Sequence, residues 1–167
     1  MKHHQFFTLS IIGTMFAMLL AMTSASADQP SYTPYTIGEE GPGGGIVFYL
    51  DHTGVHGLEA KRKDEVNQAN VRNNKVGVLF YWGDAKAAAS AYGSDWHLPT
   101  KNELDLLHKQ KDVVGGFKYT SYWTSSTEGL NDPFYAAWRQ NFFTDDDGIQ
   151  AKAWAKGMHA ARAVRAF

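Results

Sequence analysis

Short runs of β-branched and aromatic residues alternate with polar segments along most of the chain, a pattern typical of buried strands and surface turns. The first run, GIVFYLD, predicts a buried strand over Ile46–Leu50. The following HTGVHGLEA contains two glycines and predicts a turn and a second short strand. Further strands are predicted in the last third of the chain, in YTSYWTSS, FYAAWRQNFF and ARAVRAF, which turn sequences separate.

Two helices are predicted in the middle of the chain. In DAKAAASAYG, Asp84 suits the N-cap and Gly93 stands where a C-terminal glycine belongs. The preceding VGVLFYWG is either a short strand or an extended segment that leads into this helix. Two central helices between terminal strands predict an α+β fold.

A capping box marks the start of the second helix. Thr100 and Glu103 have the T-x-x-E spacing, so the helix should begin at Lys101. Its periodicity then places Leu104 and Leu107 on the buried face. In contrast, KRKDEVNQANVRNN, residues 61–74, is polar throughout and predicts a surface loop whose charges need no partner beyond water.

The glycine run in GEEGPGGG precedes the first strand and raises the alternative of a phosphate-binding loop. Such a loop follows a strand, precedes a helix and carries G-x-x-x-x-G-K-[ST], so that N–H groups face the phosphate. This run precedes a strand and contains no lysine. It therefore predicts tight turns and close packing at the start of Ile46–Leu50.

The first 27 residues resemble a secretory signal peptide. Lys2 precedes an apolar stretch from Phe6 to Met22, and Ala25-Ser26-Ala27 supplies a small-residue cleavage pattern. An uncleaved anchor helix is the alternative, but no basic stop-transfer flank follows. We therefore predict a signal peptide at 1–27, an irregular lead-in at 28–36 and a domain at 37–167. After cleavage no membrane span remains, and the protein would be periplasmic or secreted.

Composition excludes several classes of function. The chain contains no cysteine, which excludes disulfides, thiolate nucleophiles and cysteine-based zinc sites. The predicted signal contains one of the 16 basic residues and none of the 17 acidic ones, which leaves a net charge of −2. A near-neutral chain does not predict a nucleic-acid partner.

Catalytic motifs are also missing. The histidines after the signal have no H-x-x-x-H or H-E-x-x-H spacing for a metal: His52, His56, His97, His108 and His159. No G-x-S-x-G elbow surrounds the serines of the strand-like run SYWTSS. The sequence therefore predicts no catalytic residue.

The densest acidic cluster is Asp145, Asp146 and Asp147, followed by Gly148. Three carboxylates on a loop can bind Ca²⁺, but the EF-hand pattern is missing, and Asp-Gly between strand-like runs is a common hairpin turn. The turn is the favoured interpretation and calcium is the alternative. The Asn131-Asp132 pair before Pro133 is likewise interpreted first as a turn and second as a ligand-binding pair.

Aromatic residues either fill the core or offer exposed faces to sugar rings. Trp123 and Trp138 lie inside strand-like runs and are predicted to be internal. Tyr135 and Trp154 border polar turns, so they are the better candidates for an exposed binding platform. From the sequence alone, a core role is the favoured interpretation for the aromatic residues and an exposed platform is the alternative.

Six motifs in fixed order resemble those of a bacterial family: IGEEGPGGGIVFY, HGLEA, WHLPTKNEL, YWTSSTE, AAWRQNF and ARAVRAF. The chain resembles the DUF1566 family, which is similar to the C-terminal domain of the Legionella collagen-like adhesin. The resemblance covers Tyr35–Phe167, and its most specific part is Trp96–Leu104. It implies a C-type-lectin-like domain with two helices, antiparallel strands and a loop-rich ligand face. It also implies that the first strand, Ile46–Leu50, pairs with the last, Ala161–Phe167.

The calcium and sugar motifs of animal C-type lectins have no clear match here, so calcium-dependent sugar binding is not implied. We expect an exported, non-enzymatic binding or adhesion module that recognises a glycan or a protein surface. Its ligand would meet the loops Thr127–Pro133 and Thr144–Ala153. The predicted ligand-binding residues are Glu128, Asn131, Asp132, Tyr135, Asp145, Asp147 and Trp154.

Two alternatives to the binding module remain open. One is an envelope hydrolase that pairs carboxylates such as Glu128 and Asp132 with Asp145 or Asp147, since glycosidases need two carboxyl groups across the scissile bond. The other is a purely structural envelope protein. No cofactor is expected in any of these cases, apart from Ca²⁺ at Asp145, Asp146 and Asp147.

Overall fold

Two antiparallel sheets of three strands each form the framework of the computed structural model. The structure describes residues 33–73, 77–128, 136–143 and 148–167. Its strands are β1 (Ile46–Leu50), β2 (Gly57–Ala60), β3 (Ser121–Thr127), β4 (Ala136–Asn141), β5 (Gln150–Trp154) and β6 (Val164–Ala166). Its helices are α1 (Gln68–Arg72), α2 (Trp82–Ser90), α3 (Lys101–Lys109) and α4 (Lys111–Val114). The predicted α+β class is confirmed. None of the described helices is both long and apolar enough to cross a membrane.

The first sheet has the order β1-β2-β6. A short connection folds β2 back onto β1, and Ile46 lies opposite Ala60. The other edge of β2 then pairs with β6. The predicted direct pairing of Ile46–Leu50 with Ala161–Phe167 is therefore wrong, because the local hairpin places β2 between the two terminal strands.

The second sheet has the order β3-β4-β5 and confirms strands in YTSYWTSS and AAWRQN. In its β4–β5 ladder, Ala136 lies opposite Trp154 and Trp138 lies opposite Lys152. Residues opposite one another share a face, and so do residues two apart on one strand. Trp138, Lys152 and Trp154 therefore lie on the same face of this sheet.

Helix α3 begins where the capping box predicts. The Thr100 hydroxyl accepts a hydrogen bond from the Glu103 backbone N–H, and the Glu103 carboxylate accepts one from the Thr100 backbone N–H. Leu104 and Leu107 are fully buried, as predicted. Local sequence alone thus specifies the start and the buried face of this helix.

Helix α2 begins at Trp82, three residues before the start at Ala85 that Asp84 as N-cap would give. Tyr81 occupies the N-cap position and Asp84 lies in the first turn. The reason is tertiary: the Trp82 N–H donates to the Ala155 carbonyl, which follows β5, at 3.0 Å. The Trp82 indole N–H donates to the Thr124 carbonyl at 2.8 Å. These contacts fix the first residue of α2.

Buried apolar residues form two clusters. The first joins β1, α3 and the start of β3 and contains Ile46, Phe48, Ala60, Leu104, Leu107, Val114, Tyr122, Phe142, Ala160 and Val164. The second packs α2 against the β3–β4 sheet and contains Phe80, Ala85, Ala89, Trp96, Leu98, Trp123, Ala137, Ala161 and Ala163. The segment 160–164 contributes to both clusters and joins them.

The prediction that residues 61–74 form a solvated loop is wrong for the part that the structure describes. Helix α1 lies in this segment, and Asp64 and Glu65 are buried. Asp64 Oδ1 accepts from Arg162 Nε at 2.8 Å, and Asp64 Oδ2 accepts from the Tyr122 hydroxyl at 2.7 Å. The Asp64 carboxylate therefore pairs with the buried side chain of Arg162, near the last strand.

Arg162 is fully buried and donates to three backbone carbonyls in addition to Asp64. Its Nη1 lies 2.9 Å from the Lys61 carbonyl oxygen and 3.3 Å from that of Gly115. Its Nη2 donates to the Gly116 carbonyl at 2.9 Å, and its Cζ lies 4.1 Å from the Phe117 ring centroid. One guanidinium thus connects the segment after β2, the turn after α4 and the approach to β6.

The N–H groups of the glycine run do bind an anionic group, which is the side-chain carboxylate of Glu59. The backbone N–H of Gly43 donates to Glu59 Oε1 at 2.8 Å, and that of Gly45 donates to Glu59 Oε2 at 2.7 Å. Glu59 is fully buried. A Cβ atom at Gly45 would lie 2.7 Å from the Ala60 carbonyl oxygen, too close for any side chain. The glycines are therefore architectural, as predicted.

We expect Arg162→Ala to lower the free energy of unfolding by about 3–5 kcal/mol, because it leaves the buried Asp64 carboxylate without its charged partner. Urea denaturation measures the change. Arg62→Ala is the matched control, since Arg62 pairs with Glu40 on the surface and its loss should cost about 1 kcal/mol or less. Equal losses for the two variants would contradict a central role for the Arg162 network.

Gly45→Ala should lower the free energy of unfolding by about 1–3 kcal/mol, because its methyl group meets a backbone oxygen that cannot move aside alone. Gly83→Ala is the control: it lies in α2 with open space around its Cβ and should stabilise the protein by about 0.5 kcal/mol. The opposite signs are measurable as shifts of the thermal midpoint. A neutral Gly45→Ala would show that the glycine loop tolerates a side chain.

Candidate functional site

Trp154, a predicted ligand-binding residue, ends β5 with 57% of its surface exposed. It lines a cleft of about 610 Å³ with residues from the start of α2 and from the turn after β5. The lining residues of this Tyr81–Trp154 cleft are Tyr81, Gly83, Asp84, Trp154 and Lys156. The volume is within the range of small-molecule sites.

Tyr81 is held at the cleft by its two neighbours in the chain. Tyr81 precedes Trp82, whose two hydrogen bonds fix the start of α2 against the residue after β5 and against β3. Phe80 on the other side is buried. Because both neighbours of Tyr81 are anchored, its ring stays at the surface, where it is 50% exposed.

One acidic and one basic side chain complete the cleft. Asp84 lies in the first turn of α2, and its carboxylate has no hydrogen-bond or ion-pair partner among the described residues. Lys156 Nζ lies 5.5 Å from the Trp154 ring centroid. The same part of the chain contains no ion-pair partner for Lys156. Both groups are therefore available to a ligand.

The sheet face that carries Trp154 also carries Trp138 and Lys152. Trp138 is only half-buried and lies under Lys101, whose Nζ is 3.6 Å from a Trp138 ring centroid. Lys152 forms an ion pair with Glu128, another predicted ligand-binding residue. The structure thus places Glu128 and Trp154 near one face. Trp123 is internal as predicted, whereas Trp138 is partly accessible.

The other predicted ligand-binding residues lie outside the described residues: Asn131, Asp132, Tyr135, Asp145 and Asp147. Asp146 of the alternative calcium site lies outside them too, so that site and the hydrolase pairs stay predictions. Among the described residues no group of three histidines and carboxylates could hold a metal ion. The second predicted ligand loop, Thr144–Ala153, is wrong in its last part, because Gln150–Trp154 form strand β5.

The surroundings of His159 strongly perturb its pKa. Its ring packs edge-on against Trp123, with 4.5 Å between centroids. Burial, aided by the charge of Arg139, lowers the pKa of His159 to about 4. Its backbone exchanges two hydrogen bonds with Phe80. It is therefore a neutral packing residue near pH 7.

His97 and Glu103 form an ion pair beside the start of α3, with 3.2 Å between Nε2 and Oε2. The hydrogen bond to Glu103 raises the pKa of His97 in spite of partial burial. Burial acts to raise the pKa of Glu103, but hydrogen bonds from His97 and Thr100 outweigh it and lower that pKa. Because Glu103 also caps α3, the pair is structural.

Tyr81, Asp84 and Lys156 were not expected at the site. The available signal was the aromatic triplet Phe80, Tyr81 and Trp82 at the start of α2, because consecutive residues of a helix point in different directions and cannot all be buried on one face. Lys156 carries no signal of its own, since only folding brings it to α2. Two exposed rings with a free carboxylate and a free ammonium group suit binding by stacking and hydrogen bonding.

No protein-family model matches the chain, and a search of curated proteins finds no significant match. The family resemblance seen in the sequence motifs therefore stays a prediction.

The His97–Glu103 pair makes the free energy of unfolding depend on pH, and its contribution is reduced both at high pH and at low pH. Its His97 contribution is complete below pH 6.5 and is lost as the pH rises through the raised pKa. Its Glu103 contribution is complete above pH 4.5 and is lost as the pH falls through the lowered pKa. Between these values both contributions are present.

We expect Glu103→Gln to lower the pKa of His97 towards 6.5, since the carboxylate that favours the imidazolium is removed. A histidine titration followed by NMR measures the change. An unchanged His97 titration would contradict the assigned cause.

Proposed function

We propose that this protein is an exported, non-enzymatic binding module that recognises a glycan or a protein surface through the Tyr81–Trp154 cleft. The observation that carries the proposal is the exposure of Tyr81 and Trp154 at one cleft. Large rings normally gain by burial, and solvent-facing rings grouped in a concavity are typical of binding sites. The predicted signal peptide supports export to the periplasm or beyond.

We also propose the C-type-lectin-like fold and membership of the DUF1566 family. Two small antiparallel sheets with few helices are compatible with this fold. The motifs quoted for the resemblance supply Glu59, whose carboxylate accepts from the glycine loop, the Thr100 capping box and the buried Arg162. Because these residues maintain the framework, the resemblance supports the fold more directly than any particular ligand.

Glu128 does not suit the general-acid role in the alternative hydrolase. Among the carboxylates proposed for that hydrolase, Glu128 lies within the described residues. It forms an ion pair with Lys152. A neighbouring ammonium favours the charged carboxylate, whereas a general acid needs a raised pKa.

A glycan array and a pull-down from envelope extracts test the proposal, each with the full chain, Tyr81→Ala and Trp154→Ala. We expect each substitution to weaken binding roughly ten-fold or more, because it removes a stacking surface at the centre of the contact. Tyr49→Ala is the matched control: Tyr49 is an exposed tyrosine on β1, in the other sheet, and should not affect binding. Folded protein that binds nothing in either assay, or equal binding by all variants, would contradict the proposal.

A further inference from the structure

The charged side chains that line the Tyr81–Trp154 cleft are one carboxylate and one ammonium group, so their formal charges balance. Asp84 supplies one carboxylate and Lys156 one ammonium group, and neither is paired within the described part of the chain. Two lysines outside the lining have partners of their own. Lys152 pairs with Glu128, and Lys86 Nζ lies 4.6 Å from a Trp82 ring centroid, a contact of the same kind as the 5.5 Å contact of Lys156 with Trp154. A ligand would therefore meet one hydrogen-bond acceptor and one donor of opposite charge.

This combination suits hydroxyl groups better than charged groups. A hydroxyl both donates and accepts, so two adjacent hydroxyls can give a proton to a carboxylate and accept one from an ammonium group. A ligand with a single charge would be attracted by one of these two groups and repelled by the other, so its charge brings no net electrostatic gain in this cleft. The two ring faces add an apolar surface for the C–H groups of a sugar ring.

We propose that the cleft selects an uncharged saccharide with neighbouring hydroxyl groups. The sugar ring stacks on Trp154 or Tyr81, Asp84 accepts a hydrogen bond from one hydroxyl, and Lys156 donates one to the next. This inference rests on the proposed function and specifies its ligand class. It makes Asp84 and Lys156 the residues that determine specificity.

The test is a titration of the ¹⁵N-labelled full chain followed by NMR. The neutral probes are methyl β-glucoside, cellobiose and lactose, and the charged probes are glucuronic acid and glucosamine, all at millimolar concentrations. We expect a neutral probe to shift the indole N–H signal of Trp154 and the amide signals of Gly83 and Asp84. Glucuronic acid and glucosamine should each bind roughly ten-fold more weakly, because each brings a charged group that must be desolvated and that one of the two cleft charges repels.

Asp84→Asn separates charge from shape, since the amide has the same size and Asp84 is exposed. We expect it to weaken the binding of the neutral probe roughly ten-fold and to reduce the discrimination against glucuronic acid. Lys156→Gln should weaken the binding of the neutral probe as well. Asp112→Asn is the matched control, because Asp112 lies exposed in the first turn of α4, away from the cleft.

The outcomes separate the two proposals. Glucuronic acid bound as tightly as the neutral probes, or Asp84→Asn without effect while Trp154→Ala abolishes binding, would overturn the saccharide selectivity and leave the binding module intact. A protein captured through Tyr81 and Trp154, with no response to any saccharide, would also overturn it. A ligand whose binding depends on neither aromatic residue would overturn the proposed function itself.

Discussion

The buried ion pair between Arg162 and Asp64 is the interaction on which the rest of the fold depends. The two residues are 98 positions apart and join the first part of the described chain to its end. Their burial is tolerable only because the surrounding carbonyls and the Tyr122 hydroxyl satisfy the remaining donors and acceptors. Without cysteine, this network serves the role that a covalent cross-link has in many exported proteins.

Two buried carboxylates bind polar groups of the sequence motifs inside the fold. Asp64 accepts from Arg162, and Glu59 accepts from the glycine loop. The Glu59 carboxylate accepts hydrogen bonds from the N–H groups of Gly43 and Gly45, so these two donors cannot bind an external anion. The residues most recognisable in the sequence are thus occupied with maintaining the fold. The candidate site lies elsewhere, at the junction of α2 and β5, where the exposed residues carry no motif.

The features predicted correctly from sequence are local ones. The capping box at Thr100 needs only four consecutive residues, and the strand Ile46–Leu50 needs only its own composition. Strand order, the start of α2 and the burial of Asp64 depend on partners distant in the chain, so local patterns could not predict them. The same holds for the site: Trp154 was predicted from its own position, whereas its grouping with Tyr81 and Lys156 required the fold.

The anchoring of Trp82 has a consequence for the rate and cost of binding. Its two hydrogen bonds fix the relative position of the two sides of the cleft before any ligand arrives. A ligand then has little backbone to order, so little of the contact energy is lost as conformational entropy. Association should proceed in one fast step, and differences in affinity among ligands should arise mainly from how long each remains bound.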